Sequence, residues 1–227
     1  MPSLFITGTD TDIGKTYATA LIAGYLIKKG KKVGVYKPIQ TGAERINGQL
    51  DSPDLNFIKK VCPNVKVKNT YCFELPATPE LAAELENINI DFERIKNDYF
   101  YLKKVCDFVL VEGAGGLFVP VFENKTIADL IKFLDLPTVL VSSNKLGTIN
   151  HTCLSCFYAQ AKLINLKGFL FSPNHDRNSS QKVLSSNASF IERYSATKFL
   201  GNLPHFQEQI FEDVLDQLDF LKPEDWF

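Results

Sequence analysis

The stretch GTDTDIGKT, residues 8–16, follows the apolar run Leu4-Phe5-Ile6-Thr7 and precedes a segment with helical spacing. Strand, glycine-bearing loop and helix, in that order, are the context of a phosphate-binding loop. Backbone N–H groups and the helix dipole hold phosphate oxygens, and the lysine, Lys15, reaches the terminal phosphates. The hydroxyl of Thr16 is then placed to ligate Mg2+. The usual pattern is a glycine, four residues, then Gly-Lys-Ser/Thr. Counted back from Gly14, that first position is Thr9, with Gly8 one residue early. Two acids, Asp10 and Asp12, also stand in a loop meant for anions. The chemistry must give acids and threonines a task.

Outward from this loop, apolar strand-like runs alternate with helical spacing. Strands are predicted at 3–7, 32–36, 70–73, 107–111, 138–141, 168–171 and 198–200. Helices are predicted at 15–29, 54–61, 79–85, 91–104, 128–134, 149–164, 180–194 and 207–221. The last is amphipathic, with Ile210, Val214, Leu218 and Leu221 on one face. Continuous apolar strands between helices predict an α/β fold: a doubly wound, mainly parallel sheet with helices on both faces, of P-loop NTPase type. With no repeat or linker, residues 1–227 are expected to form one domain.

Composition excludes several classes. The net charge is −1 and the basic residues are dispersed, so neither nucleic acid nor a membrane surface is an expected partner. No apolar run is long enough to span a bilayer, and the N-terminus lacks the pattern of a secretory leader, so a cytoplasmic location is expected. The five cysteines are odd in number and scattered, against a disulfide framework. Cys153 and Cys156 form a C-x-x-C without a thioredoxin-like start or a second ligand pair, and read as apolar helix residues.

In open parallel sheets ligands bind beyond the carboxyl ends of the strands. The loops there are KPIQTG (37–42), EGAGG (112–116), SSNKLGTIN (142–150), SPNHD (172–176) and GNLPHF (201–206). Glu112 can hold Mg2+ opposite Thr16, and the glycines after it let backbone approach a ligand closely. Asp54 begins a helix and by itself reads as a cap. Lys37 closes the second strand on the edge that carries Lys15, and two converging lysines suit a reaction that gathers negative charge. At a loop edge, Lys37→Ala should leave folding intact.

Together GTDTDIGKT, YKPIQTG, VLVEGAGG and NKLGTINH resemble, in order and interval, the signature stretches of dethiobiotin synthetases. The resemblance covers most of the chain and is strongest up to about residue 152. It implies a ligase of biotin biosynthesis that takes 7,8-diaminononanoate, CO2 or bicarbonate, and MgATP. A carbamate forms, is phosphorylated to a carbamic-phosphoric anhydride, and closes to a cyclic urea. The family shares the long GTDT loop. It implies Lys37, Lys15, Thr11 and Asp12 as catalytic residues, with the acid at 12 acting on a substrate ammonium. Thr16, Asp54 and Glu112 become the Mg2+ ligands. Nucleotide contacts are implied for Asp12, Ile13, Gly14, Lys15, Thr16, Tyr17, Asp54, Glu112, Gly113, Ala114 and Gly115. Substrate contacts are implied for Thr41, Gly115, Gly147, Thr148, Ile149 and Asn150. The last four reach across from a neighbouring subunit, hence a homodimer.

The chain departs from the family on the base side. Ser172 and Pro173 stand where an adenine-reading Asn is common, and Phe211 stands in for an acid that holds ribose. Pro204, His205 and Phe206 correspond to a base-flanking loop. No counterpart of a tyrosine that clamps the substrate carboxylate is found. Weak selectivity among nucleoside triphosphates is therefore expected. Among rivals, partitioning and metal-insertion ATPases carry a second lysine where this chain has Asp10. An amidoligase would need a glutaminase domain, for which the chain is too short, and a nucleotide-binding regulator leaves Lys37 and Thr41 without a task.

Overall fold

The computed structural model describes residues 1–173, 181–206 and 211–226. Seven strands form one sheet: β1 (Ser3–Gly8), β2 (Val33–Gln40), β5 (Lys66–Cys72), β6 (Phe108–Gly116), β9 (Thr138–Ser143), β10 (Leu166–Ser172) and β11 (Phe199–Asn202). Their order is β11-β10-β9-β1-β6-β2-β5, and every pairing is parallel. β1 lies at the centre, with Phe5 opposite Val111 on one side and Thr138 on the other.

Alternation along the strands sorts side chains between the two faces. Leu4, Ile6, Val33, Val35, Leu110 and Leu170 face one core, covered by α1 (Lys15–Lys28), α2 (Pro53–Val61) and α8 (Phe211–Leu215). Phe5, Tyr36, Val109 and Val111 face the other, under α3 (Pro79–Leu85), α4 (Phe92–Val105) and α5 (Ile127–Leu134). Leu140, Phe169 and Phe171 continue that face beneath α6 (Thr148–Ala161) and α7 (Gln181–Ser195). Cys153 and Cys156 are buried there as free thiols on α6. No helix among the described residues is long and apolar enough to cross a membrane.

Three features differ from the sequence reading. β2 runs on to Gln40 and β6 to Gly116, so Lys37 and Glu112 stand inside strands rather than at their ends. Two small antiparallel hairpins were not anticipated: β3 (Glu44–Ile46) with β4 (Gln49–Asp51), and β7 (Pro120–Phe122) with β8 (Lys125–Thr126). Of the expected helix over 207–221, the described residues hold α8 and a 3-10 turn at Asp216–Leu218, and residues 207–210 lie outside them. Val214, Leu218 and Leu221 are buried as expected, while Ile210 lies outside the described residues.

Candidate functional site

The loop 8–16 connects β1 to α1. Gly14 caps α1 at φ 100°, and a Cβ there would stand 2.7 Å from Ser172 Cβ. Both the backbone and the close approach therefore demand glycine. Asp12 also takes a left-handed conformation, φ 53°, uncommon outside glycine. The Asp10 carboxylate accepts the Thr11 N–H at 2.7 Å, and its carbonyl accepts Lys15 Nζ at 2.7 Å. Asp10 thus shapes the loop from within.

Beside the loop, strands β2 and β6 deliver a buried charge cluster. Lys37 Nζ lies 2.5 Å from Asp54 Oδ2 and 2.8 Å from Glu112 Oε1, and donates to the Gly113 carbonyl at 3.2 Å. Glu112 Oε1 also accepts the Thr16 hydroxyl at 2.7 Å. Burial pulls the Lys37 ammonium down, but the Glu112 and Asp54 carboxylates outweigh it and hold it above its ordinary value. Lys15 goes the other way. Burial, reinforced by the Lys37 charge, lowers it to about 8, against the pull of Glu112, Asp54 and Asp12. Lys37 is 3% exposed, so the expectation of a loop-edge side chain is overturned. Its neighbours β5 and β6 cover the strand on both sides.

Asp54 was read by itself as a helix cap, yet Ser52 caps α2, accepting the Leu55 N–H at 3.3 Å. The Asp54 carboxylate is left for the cluster. Mg2+ fits these donors: it takes hard oxygen ligands, one or two of them carboxylates, and shares its shell with phosphates and water. Glu112 Oε2 is buried with no hydrogen-bond partner, an acceptor that a cation would satisfy. Among the described residues, no three His, Cys, Asp or Glu gather into a protein cage.

The cluster opens into a cleft of about 690 Å3. Thr11, Asp12, Gly14, Lys15, Thr16, Tyr17, Lys37, Thr41, Asp54, Glu112, Ala114 and Gly115 all line it. Ile13 points into the core against Gly8, and Gly113 is buried against Phe5, so either could meet a ligand only through its main chain. Gln40, Phe57, Pro76, Ala77, Thr78, Pro79 and Val119 line the cleft too and were missed. Residues 76–79 follow the carboxyl end of edge strand β5. That loop has no glycine or lysine, the marks by which four of the five other loops stand out.

The base-side residues lie apart from this cleft. The Ser172 hydroxyl donates to the Ser142 carbonyl at 3.2 Å, close against Gly14. Pro204 and Phe206 are tied to Tyr17, whose ring stacks on Phe206 at 4.3 Å. His205 is exposed, with Nδ1 3.1 Å from the Phe206 carbonyl. Phe211 is buried against Gly24 of α1, so it fills the core and does not stand in for a ribose-holding acid. Gly147 caps α6 at φ 91°. The Thr148 hydroxyl turns inward to Ser142 and Thr152, while Asn150 is exposed and Ile149 half-buried. None of these four lines the cleft.

A parallel sheet with a Gly-Lys-Thr loop on its central strand defines a P-loop nucleotide-binding protein. Residues 2–211 match the family described as "AAA domain". The fold is shared with a ParA family ATPase from Chlorobium tepidum (TM-score 0.57, 14% identity, 99% of this chain and 91% of that one). It is shared too with a chain of the Aquifex aeolicus MinC:MinD cell division complex (TM-score 0.57, 14% identity, 96% and 86%). Sequence relatives are more specific. The chain is 38% identical over 206 residues to the ATP-dependent dethiobiotin synthetase BioD of Halalkalibacterium halodurans, covering 89% of this chain and 84% of that one. It is 42% identical over 173 residues to the protein of that name from Methanocaldococcus jannaschii, covering 74% and 78%. The chain belongs to the dethiobiotin synthetase family.

Proposed function

We propose that the chain closes the cyclic urea of dethiobiotin on 7,8-diaminononanoate, with CO2 and ATP as co-substrates. The observation that carries this reading is one cleft joining Lys15, Lys37, Thr16, Asp54 and Glu112 to Thr11, Asp12 and Thr41. One substrate amine adds to CO2 and loses a proton, giving a carbamate. A carbamate oxygen attacks the γ-phosphorus of ATP and ADP leaves. The second amine then attacks the carbonyl carbon, the C–O bond to phosphate breaks, and the ring closes.

In this reading Lys37 and Lys15 hold the negative charge that builds on carbamate and phosphoryl oxygens, in a buried setting where such contacts are strong. Thr16, Asp54 and Glu112 hold Mg2+, which neutralises phosphate charge when bound. Asp12 balances a substrate ammonium and Thr41 offers a hydroxyl to the substrate. The backbone from Ile13 to Tyr17 and from Gly113 to Gly115 cradles the triphosphate, with Ser172, Pro173 and 204–206 on the base side.

The end of α6 at Gly147–Asn150 serves the substrate carboxylate of a second copy, in a homodimer. The support is an exposed apolar face around it: Leu146, Leu154 and Phe157 of this region, and Phe118 nearby at 70% exposure. Leu154 and Phe118 border a hollow of about 450 Å3 that also touches Thr9, Asp10 and Thr11.

Phosphate release from ATP tests the reading. It should require diamine and bicarbonate together. Hydrolysis indifferent to both would point to a nucleotide-driven switch instead.

A further inference from the structure

The charge cluster at Lys37 lies on the β6 side of the phosphate loop, since Glu112 is on β6 and Lys37 on β2. Phosphoryl transfer belongs there. The nucleoside must leave the loop on the other side, over the carboxyl ends of β10 and β11. Residues 172–173 and 203–206 occupy that side, and Tyr17 joins them to the cleft.

The Tyr17 hydroxyl donates to the Pro204 carbonyl at 2.8 Å and accepts the Phe206 N–H. That carbonyl and that N–H, two residues apart, form a main-chain acceptor and donor of the kind that reads a base edge. Adenine presents an amino donor at N6 beside the N1 acceptor, the complement of such a pair. Cytosine presents the same order at N4 and N3; guanine and uracil present the reverse. A hydroxyl that donates to the carbonyl and accepts from the N–H repeats the adenine pattern. Of the described residues beside this pair, Ser172 has its hydroxyl donated to the Ser142 carbonyl and Pro173 has no N–H.

We propose that Tyr17 determines nucleobase specificity by occupying this adenine-matching pair. The base is then held by contact rather than by its edge, and discrimination is weak. The inference rests on the reading of the cleft as a nucleotide site and adds to it why the base is loosely chosen.

The test compares Kd for ADP, GDP, CDP and purine riboside diphosphate, which lacks the 6-amino group, in wild type and Tyr17→Phe. Binding needs neither diamine nor bicarbonate, so it is separable from the ligase reaction. Failure of every nucleotide to bind overturns the nucleotide site itself. In wild type, ADP and purine riboside diphosphate should bind within about twofold, and GDP within about tenfold of ADP. Tyr17→Phe keeps the stack on Phe206 and frees the pair. The ADP-to-GDP preference should then rise roughly three- to tenfold, one hydrogen bond's worth, while ADP-to-CDP stays level. A change that scales all four ligands alike would reduce Tyr17 to a structural prop and overturn the proposal. If the variant folds poorly, the wild-type comparison decides: a deficit beyond tenfold for purine riboside diphosphate means the edge is already read.

Discussion

At the scale of the residue, position 12 is the clearest departure from pure phosphate holding. Asp12 lines the cleft from a left-handed backbone position. Asp12→Asn should raise the diamine KM more than it weakens nucleotide binding, since the substrate ammonium loses a charged hydrogen-bonding partner while Lys15 loses only one of three carboxylate pulls. The reverse split, nucleotide weakened and diamine KM unmoved, would transfer Asp12 to the phosphates or the metal. Lys37 carries a double prediction. Removing a buried, preorganised charge should lower kcat by about 10²–10³. Stripping one partner from a buried ion pair costs about 3–5 kcal/mol, and the partial exposure of Asp54 puts Lys37→Ala near the lower end. Urea unfolding without ligand measures the second effect; an unchanged midpoint would contradict the buried cluster. The placement of Lys15 and Thr16 in the cleft was legible because it follows from local order: strand, loop, helix. The burial of Lys37 was not, because it depends on strands β5 and β6, far away in sequence.

At the scale of the element, α2 is held where its first turn can serve the cleft. The Ser52 hydroxyl donates to Gln40 Oε1 at 2.6 Å and accepts from Leu55, joining the helix start to the end of β2. Ser52→Ala should cost about 1–2 kcal/mol of stability, the usual loss for a cap. It should also weaken Mg-nucleotide binding severalfold, because Asp54 rides on that first turn; titration calorimetry reads it, and unchanged affinity would detach α2 from the site. The centres of the elements were readable from apolar periodicity. Their ends were not. Lys37, Pro38 and Gln40, and the glycines after Glu112, look like loop chemistry, yet both stretches continue as strand. The hairpins are too short to show a period of two. At the C-terminus, burial followed the helical spacing although the described helix tightens into a 3-10 turn after Leu215, so the apolar stripe survived the change of winding.

At the scale of the whole molecule, the apolar face near α6 predicts association. Sedimentation at assay concentrations should show a dimer, and Leu154→Glu, on an exposed position, should yield monomers that have lost turnover. A fully active monomer would remove the shared site. The sheet class was legible throughout, since unbroken apolar strands between helices admit little else. The strand order also sets a timetable. β1 is made before either of its sheet partners, which begin only at Phe108 and Thr138. At about 5–20 residues per second, the stretch that carries the phosphate loop waits roughly 7–30 s for both neighbours to be made. One edge of β1 stays unpaired until β6 is made and the other until β9 is made, and α1, which follows directly, is the first element available to cover its face. The loop after β1 is made before the strands that flank it and assembled after them.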